Sequence, residues 1–143
     1  MPKTMAVDTP RGRIVIQLSG DASVATTVAH FEKLANEEFF DGLTFHRVEG
    51  WVVQGGDPDG TGGGGGKMPA EYNRIPFLEG AVGVARGSDR RLNSDCQWFI
   101  VKRDSNFLDG DYTNFGMVTS GMDVVAAIVK GDKMEKVQVS EPG

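Results

Sequence analysis

The stretch Phe45–Gly66, FHRVEGWVVQGGDPDGTGGGGG, sets one cation and one amide into an apolar run that ends in glycine. Val52 and Gln54 lie two apart in a β-prone segment, so an extended chain turns both to the same side. Arg47 is close enough in sequence to join that face from the adjoining segment. An always-charged fork, an amide and a greasy surface stand together here with no nucleophile between them, and by itself the stretch leaves open what chemistry that set serves.

Reading outward, Met5–Leu18 has the pattern of a hairpin. Ile14, Ile16 and Leu18 alternate with Arg13, Val15 and Gln17, and the turn Thr9-Pro10-Arg11-Gly12 carries proline second and glycine fourth. The next segment, DASVATTVAHFEKLANEEFF, repeats Val24, Val28, Phe31, Leu34 and Ala35 at helical spacing, with Asp21 or Ser23 as a cap. Short strands are expected at Thr44–Val48, Val52–Gln54, Ala81–Ala85, Trp98–Val101, Asn114–Val118 and Val137–Val139, and a second helix over Met122–Lys130. Many short strands with two separated helices predict a mainly β fold. Its expected form is a closed eight-stranded antiparallel barrel capped by the two helices, as one domain over residues 1–143.

Composition narrows the function. The chain of 143 residues is 39% apolar and 24% charged, with a net charge of -5. That is the make-up of a globule with one core, and on average it repels a phosphate backbone. The basic residues are scattered apart from Arg86, Arg90 and Arg91, so no nucleic-acid partner is expected. Two histidines and the lone Cys96 are too few for a zinc site of ordinary ligands, and no metal is expected. No segment reads as a signal peptide or a membrane span, which makes the cytoplasm the expected location.

Rival chemistries fail on their spacing. A phosphate loop at Gly66-Lys67 would need glycine at Thr61 and a hydroxyl at Met68. The formal dinucleotide match at Gly60, Gly62 and Gly65 runs into Pro69 where a helix should open. His46, inside an expected strand, reads as a core histidine with satisfied ring nitrogens, and His30 as a boundary residue. Cys96 has no identifiable base. Asp57, Asp59 and Glu71 read as turn formers and solvated charges.

FHRVEGWVVQGGDPDGTGGGGGKMPAE resembles the signature of the cyclophilins, the cyclosporin-type peptidyl-prolyl cis-trans isomerases. The resemblance continues through GAVGVARGSDRRLNSDCQWFIV and NFLDGDYTNFGMV to the terminal helix and strand, covering the chain from the first hairpin to Val139. The Ala85-Arg86 pair, the compact loops and Tyr112 are closer to bacterial members than to animal ones.

The resemblance implies a site as well as a fold. Arg47 would be the catalytic cation and Gln54 the amide that orients the substrate backbone. Trp51, Val52, Phe99 and Leu108 would wall a proline pocket, with Phe107 at its rim and Tyr112 pointing in. Ala85 and Arg86 would offer backbone groups to an extended peptide, and Gly87 would sit at a neighbouring pocket. Trp51 and Val52 stand where the family commonly has Phe and Met, which implies a reshaped pocket. Phe107 replaces the Trp of strong cyclosporin binders, which implies reduced cyclosporin affinity. The implied protein is a monomeric, cofactor-free rotamase that assists folding by acting on X-Pro bonds in proline-containing peptides and flexible chains. The competing reading is a proline-peptide binding or chaperone module that uses the same groove without turnover.

Overall fold

The computed structural model describes residues 3–141, so the first two and last two positions of the expected 1–143 domain lie outside the described residues. The opening hairpin joins β1 (Thr4–Thr9) to β2 (Gly12–Leu18), pairing Thr9 with Gly12 across the Pro10-Arg11 turn. Thr9 Oγ1 donates to the Gly12 carbonyl at 2.9 Å and accepts from Arg11 N–H at 3.1 Å. Met5, Val7, Ile14, Ile16 and Leu18 all turn to the core, as strand alternation requires.

Helix α1 (Ala25–Asn36) follows a single 3₁₀ turn, Ala22–Val24, and Asp21 caps that turn by accepting Ser23 N–H at 2.9 Å. It is therefore shorter at both ends than its periodic segment. Its first turn is satisfied from afar: Glu71 Oε1 accepts both the N–H and the hydroxyl of buried Thr27, each at 2.6 Å. Glu71 is thus a capping group and not the solvated charge expected. Phe31 and Ala35 bury the inner face of the helix, which packs on the last strand, Lys136–Ser140.

β3 (Arg47–Val48), β4 (Val52–Gly55), β6 (Ala81–Val84), β8 (Trp98–Val101), β9 (Asn114–Ser120) and β10 (Lys136–Ser140) complete one antiparallel sheet of eight strands, in the order β10-β1-β2-β9-β6-β8-β4-β3. The expected closed barrel is corrected here: the sheet is an open half-barrel whose end strands, β10 and β3, do not pair. The chain runs beside itself at this seam without regular strand geometry. Gly42 N–H donates to Met134 O at 2.7 Å, and Phe45 N–H to Asp132 O at 2.9 Å. Only an isolated antiparallel bridge, Thr44 to Lys133, forms between the two segments, and Gly42 and Gly131 near it adopt φ of +85° and +95°, which glycine enters freely.

Two short strands escaped the pattern reading, β5 (Lys67–Pro69) and β7 (Leu92–Ser94), which form a separate two-stranded ribbon. Each has three residues, too few for alternation to register. Helix α2 (Met122–Ala127) ends before the expected Lys130, because Ile128 is extended (ψ 135°) and Asp132 captures Val129 N–H at 2.9 Å. Val129 consequently faces solvent.

The sheet carries apolar groups on both faces. In β8, Trp98 and Ile100 enter the main core with Phe31, Phe40, Phe45 and Phe115, whereas Phe99 and Val101 join a second cluster with Val52, Phe77, Ala81 and Leu108. That second cluster, on the outer face, floors the candidate site.

Candidate active site

Register brings the key side chains into a row. Arg47 pairs with Gln54, Gln54 with Phe99, and Phe99 with Gly83, one rung across β3, β4, β8 and β6. Residues directly opposite one another share a face, so the cation, the amide and the ring lie side by side. Gly83 makes the rung possible: a Cβ there would lie 2.4 Å from Phe99 Cζ and 2.8 Å from Phe77 Cε1. Gly83→Ala should therefore push the Phe99 ring outward, lowering peptide affinity and costing about 1–3 kcal/mol in stability by overpacking. Titration with a proline peptide and thermal unfolding would check both, and native values in each would refute the account.

A hollow of about 270 Å³ lies over this rung. Buried Val52, Phe99 and Leu108 contribute to its lining, together with Tyr112, whose ring meets Phe99 edge-on at 5.9 Å. Trp51 and Phe107 also line it, in edge contact at 5.1 Å, and Phe107 is 70% exposed at the rim. Arg47, Gln54, Ala85 and Arg86 supply its polar groups. Of the residues implied by resemblance only Gly87 lies elsewhere; it lines an adjacent hollow of about 280 Å³, shared with Gly62–Gly66, Lys67 and Gln97.

The polar groups are held by partners. Arg47 donates through Nη1 to Gln54 Oε1 at 3.2 Å and through Nε to the Glu49 carboxylate, and its Cζ lies 5.7 Å from the Trp51 ring centre. Arg86 stacks its guanidinium on Tyr112 at 4.4 Å and donates to the carbonyls of Asp111 and Gly87. Ala85 has less backbone to offer than expected: its N–H is committed to Gln97 O at 3.0 Å and its carbonyl already accepts Ser94 N–H. Arg86, by contrast, makes no backbone-to-backbone hydrogen bond among the described residues.

Two supporting residues were missed by the sequence reading. Gln97 accepts from Gln54 Nε2 at 3.2 Å and donates to the carbonyls of Gly62 and Gly64 at 3.0 and 3.1 Å. The clue was spacing, since positions 97, 99 and 101 share a strand face. Asp57 is buried, not solvated: its carboxylate accepts the N–H groups of Asp59, Thr61, Gly62 and Gly64. Burial works against its charge, but these backbone donors prevail and hold the carboxyl below its ordinary value. A continuous chain of contacts thus runs from Asp57 through the glycine loop, Gln97 and Gln54 to Arg47.

His46 lies against Gly62 with its Nδ1 buried and unpartnered, contrary to the satisfied histidine expected, and burial pushes its pKa down toward the neutral ring. Burial raises the Cys96 thiol to about 11, which leaves little thiolate at neutral pH. His30 reaches Asp95 O at 2.7 Å. Among the described residues, no cluster of three or more His, Cys, Asp or Glu is placed to hold a metal, and no helix is long and apolar enough to cross a membrane.

The half-barrel fold has clear counterparts. A Cryptosporidium parvum cyclophilin type peptidyl-prolyl cis-trans isomerase, solved in the presence of the dipeptide Ala-Pro, superposes with a TM-score of 0.86 at 20% identity, over 97% of this chain and 99% of that one. That likeness defines the fold. Peptidyl-prolyl cis-trans isomerase B of Bacillus subtilis is 47% identical over 79% of this chain and 81% of its own, and a Synechococcus elongatus peptidyl-prolyl cis-trans isomerase is 38% identical over 93% of each. The profile described as cyclophilin type peptidyl-prolyl cis-trans isomerase/CLD matches residues 4–142. The chain belongs to the cyclophilin-type peptidyl-prolyl cis-trans isomerase family, and it is an isomerase.

Proposed function

We propose that the chain acts as one prolyl-isomerase domain over residues 1–143, in which Arg47 supplies the catalytic hydrogen bond. An X-Pro amide resists rotation because the nitrogen lone pair is delocalised into the carbonyl, a barrier of about 18–20 kcal/mol. Twisting the bond returns that pair to nitrogen, which then accepts a proton donor that it ignores when planar. A guanidinium placed there stabilises the twisted state selectively. Lowering the barrier by about 7 kcal/mol gives roughly 10⁵-fold acceleration. A rotation gives a nucleophile nothing to attack, and the chemistry calls for no cofactor.

The remaining residues bind. The prolyl ring enters the hollow between Val52, Phe99, Leu108, Trp51, Phe107 and Tyr112, so one side of the bond is held while the other turns. Gln54 grips the substrate backbone, and Arg86, with the spare lone pair of the Ala85 carbonyl, pairs with the extended peptide. Gly87 borders the second hollow, which receives a preceding side chain. The Ala-Pro dipeptide of the C. parvum neighbour supports proline-containing peptides as substrates, and flexible or unfolded chains with exposed X-Pro bonds are their source in folding. Few large apolar side chains stand exposed among the described residues (Leu78, Phe107 and Val129), which favours a monomer.

The observation that carries this reading is the single rung of Arg47, Gln54 and Phe99 at a hollow that is also lined by Trp51, Val52, Phe107, Leu108 and Tyr112. The native protein should speed cis-to-trans relaxation of a short Xaa-Pro peptide in proportion to enzyme concentration. Peptide binding without acceleration would instead establish the binding-module reading.

A further inference from the structure

Arg47 occupies an exposed place for a residue that must aim a hydrogen bond. It lies on the two-residue strand β3 at the end of the sheet, and its side chain is 45% exposed. A long side chain in that setting samples many rotamers unless something holds it. Two acceptors do so: Gln54 Oε1 takes Nη1, and the Glu49 carboxylate takes Nε. They engage different edges of a planar fork, so together they fix its plane. Nη2 makes no hydrogen bond among the described residues.

We propose that Glu49 is the positioning residue of Arg47, holding the guanidinium so that Nη2 is presented to the substrate; this rests on the role of Arg47 given above. Glu49 is itself anchored. It lies two residues beyond Arg47, its N–H donates to Val52 O at 2.8 Å, and its carbonyl accepts Lys102 Nζ at 2.9 Å. These contacts close the tight turn between β3 and β4 and aim the carboxylate back along the chain at Arg47. The role is geometric: the reaction needs no base, and Glu49 does not line the hollow. An ion pair this exposed adds little to fold stability, so its removal can be read in catalysis without confusion from unfolding.

The test measures kcat, KM and thermal midpoint for Glu49→Ala, Glu49→Gln, Arg47→Ala and the Glu49→Ala/Arg47→Ala double variant, together with the Arg47 Nε–H signal in nitrogen-15 spectra. Glu49→Ala should lower kcat about tenfold, short of the roughly 10²-fold that a 1 Å misplacement can cost because Gln54 still holds Nη1, with KM changed by less than about twofold. The Arg47 Nε–H should exchange slowly with water in the native protein and rapidly in Glu49→Ala. Glu49→Gln, which keeps an acceptor at the same reach, should recover most of the loss. In the Arg47→Ala background, Glu49→Ala should cost nothing further. Native kcat in Glu49→Ala, a loss confined to KM, or an equal loss in the Arg47→Ala background would each overturn the positioning role. Full rate in Arg47→Ala would instead remove the role of Arg47 on which it rests.

Discussion

Arg47→Ala should lower kcat/KM for an Xaa-Pro peptide by about 10²–10³-fold, the loss found when one preorganised donor to a transition state is removed. Nearly all of it should fall on kcat. Arg47 is one of the polar groups lining the hollow, whereas the ring would rest on buried Val52, Phe99 and Leu108. Peptide affinity should therefore change by no more than about threefold. Arg47→Lys should restore little, because an ammonium lacks the fork that engages Gln54 and Glu49 together. Exchange spectroscopy on the peptide at equilibrium separates turnover from binding. A variant that loses affinity in step with rate would make Arg47 a binding residue, and one with full rate would remove it from the mechanism.

Asp57→Asn should be the most damaging single polar change, destabilising the fold by about 2–4 kcal/mol, because charge-assisted bonds to several backbone N–H groups are weakened or lost in a buried place. The effect depends on pH with a definite sign. The folded-state pKa of Asp57 lies below its unfolded value, so its contribution is complete above the unfolded carboxylate pKa and is lost as pH falls through the folded one. The stability gap between native and Asp57→Asn should stay constant from about pH 6 upward and narrow below about pH 4. Urea unfolding at a series of pH values measures it. A gap that persists unchanged into acid would show that the charge of Asp57 is not what holds the glycine loop. Activity should fall as well, since that loop anchors Gln97, and Gln97 anchors Gln54.

The same network shows why some of the site was legible and some was not. Val52 and Gln54 could be placed on one face because strand alternation is a property of successive residues. Phe99 could be joined to them only through the family resemblance, since nothing in QWFIV alone says which strand lies beside it. Asp57 looked like a turn former because its partners are backbone N–H groups, which carry no residue identity to read. Glu71 looked solvated for a different reason: its partner Thr27, which donates both N–H and hydroxyl, lies 44 residues away. Gly83 was indistinguishable from any other strand glycine until the rings of Phe99 and Phe77 were found where its Cβ would be.

Local order in this chain, then, belongs to the residues themselves: the Pro10–Gly12 turn, the helical spacing of Val24 to Ala35 and the alternation of Ile14, Ile16 and Leu18 follow from backbone dihedrals and side-chain burial within a few positions. The pairing of Arg47 with Gln54 and of Gln54 with Phe99, the opening of the barrel between β10 and β3, and the clamp of Asp57 on the glycine loop arise only when distant segments meet. Register across strands is set by the combined packing of both sheet faces, and no short stretch of chain contains both sides of that fit.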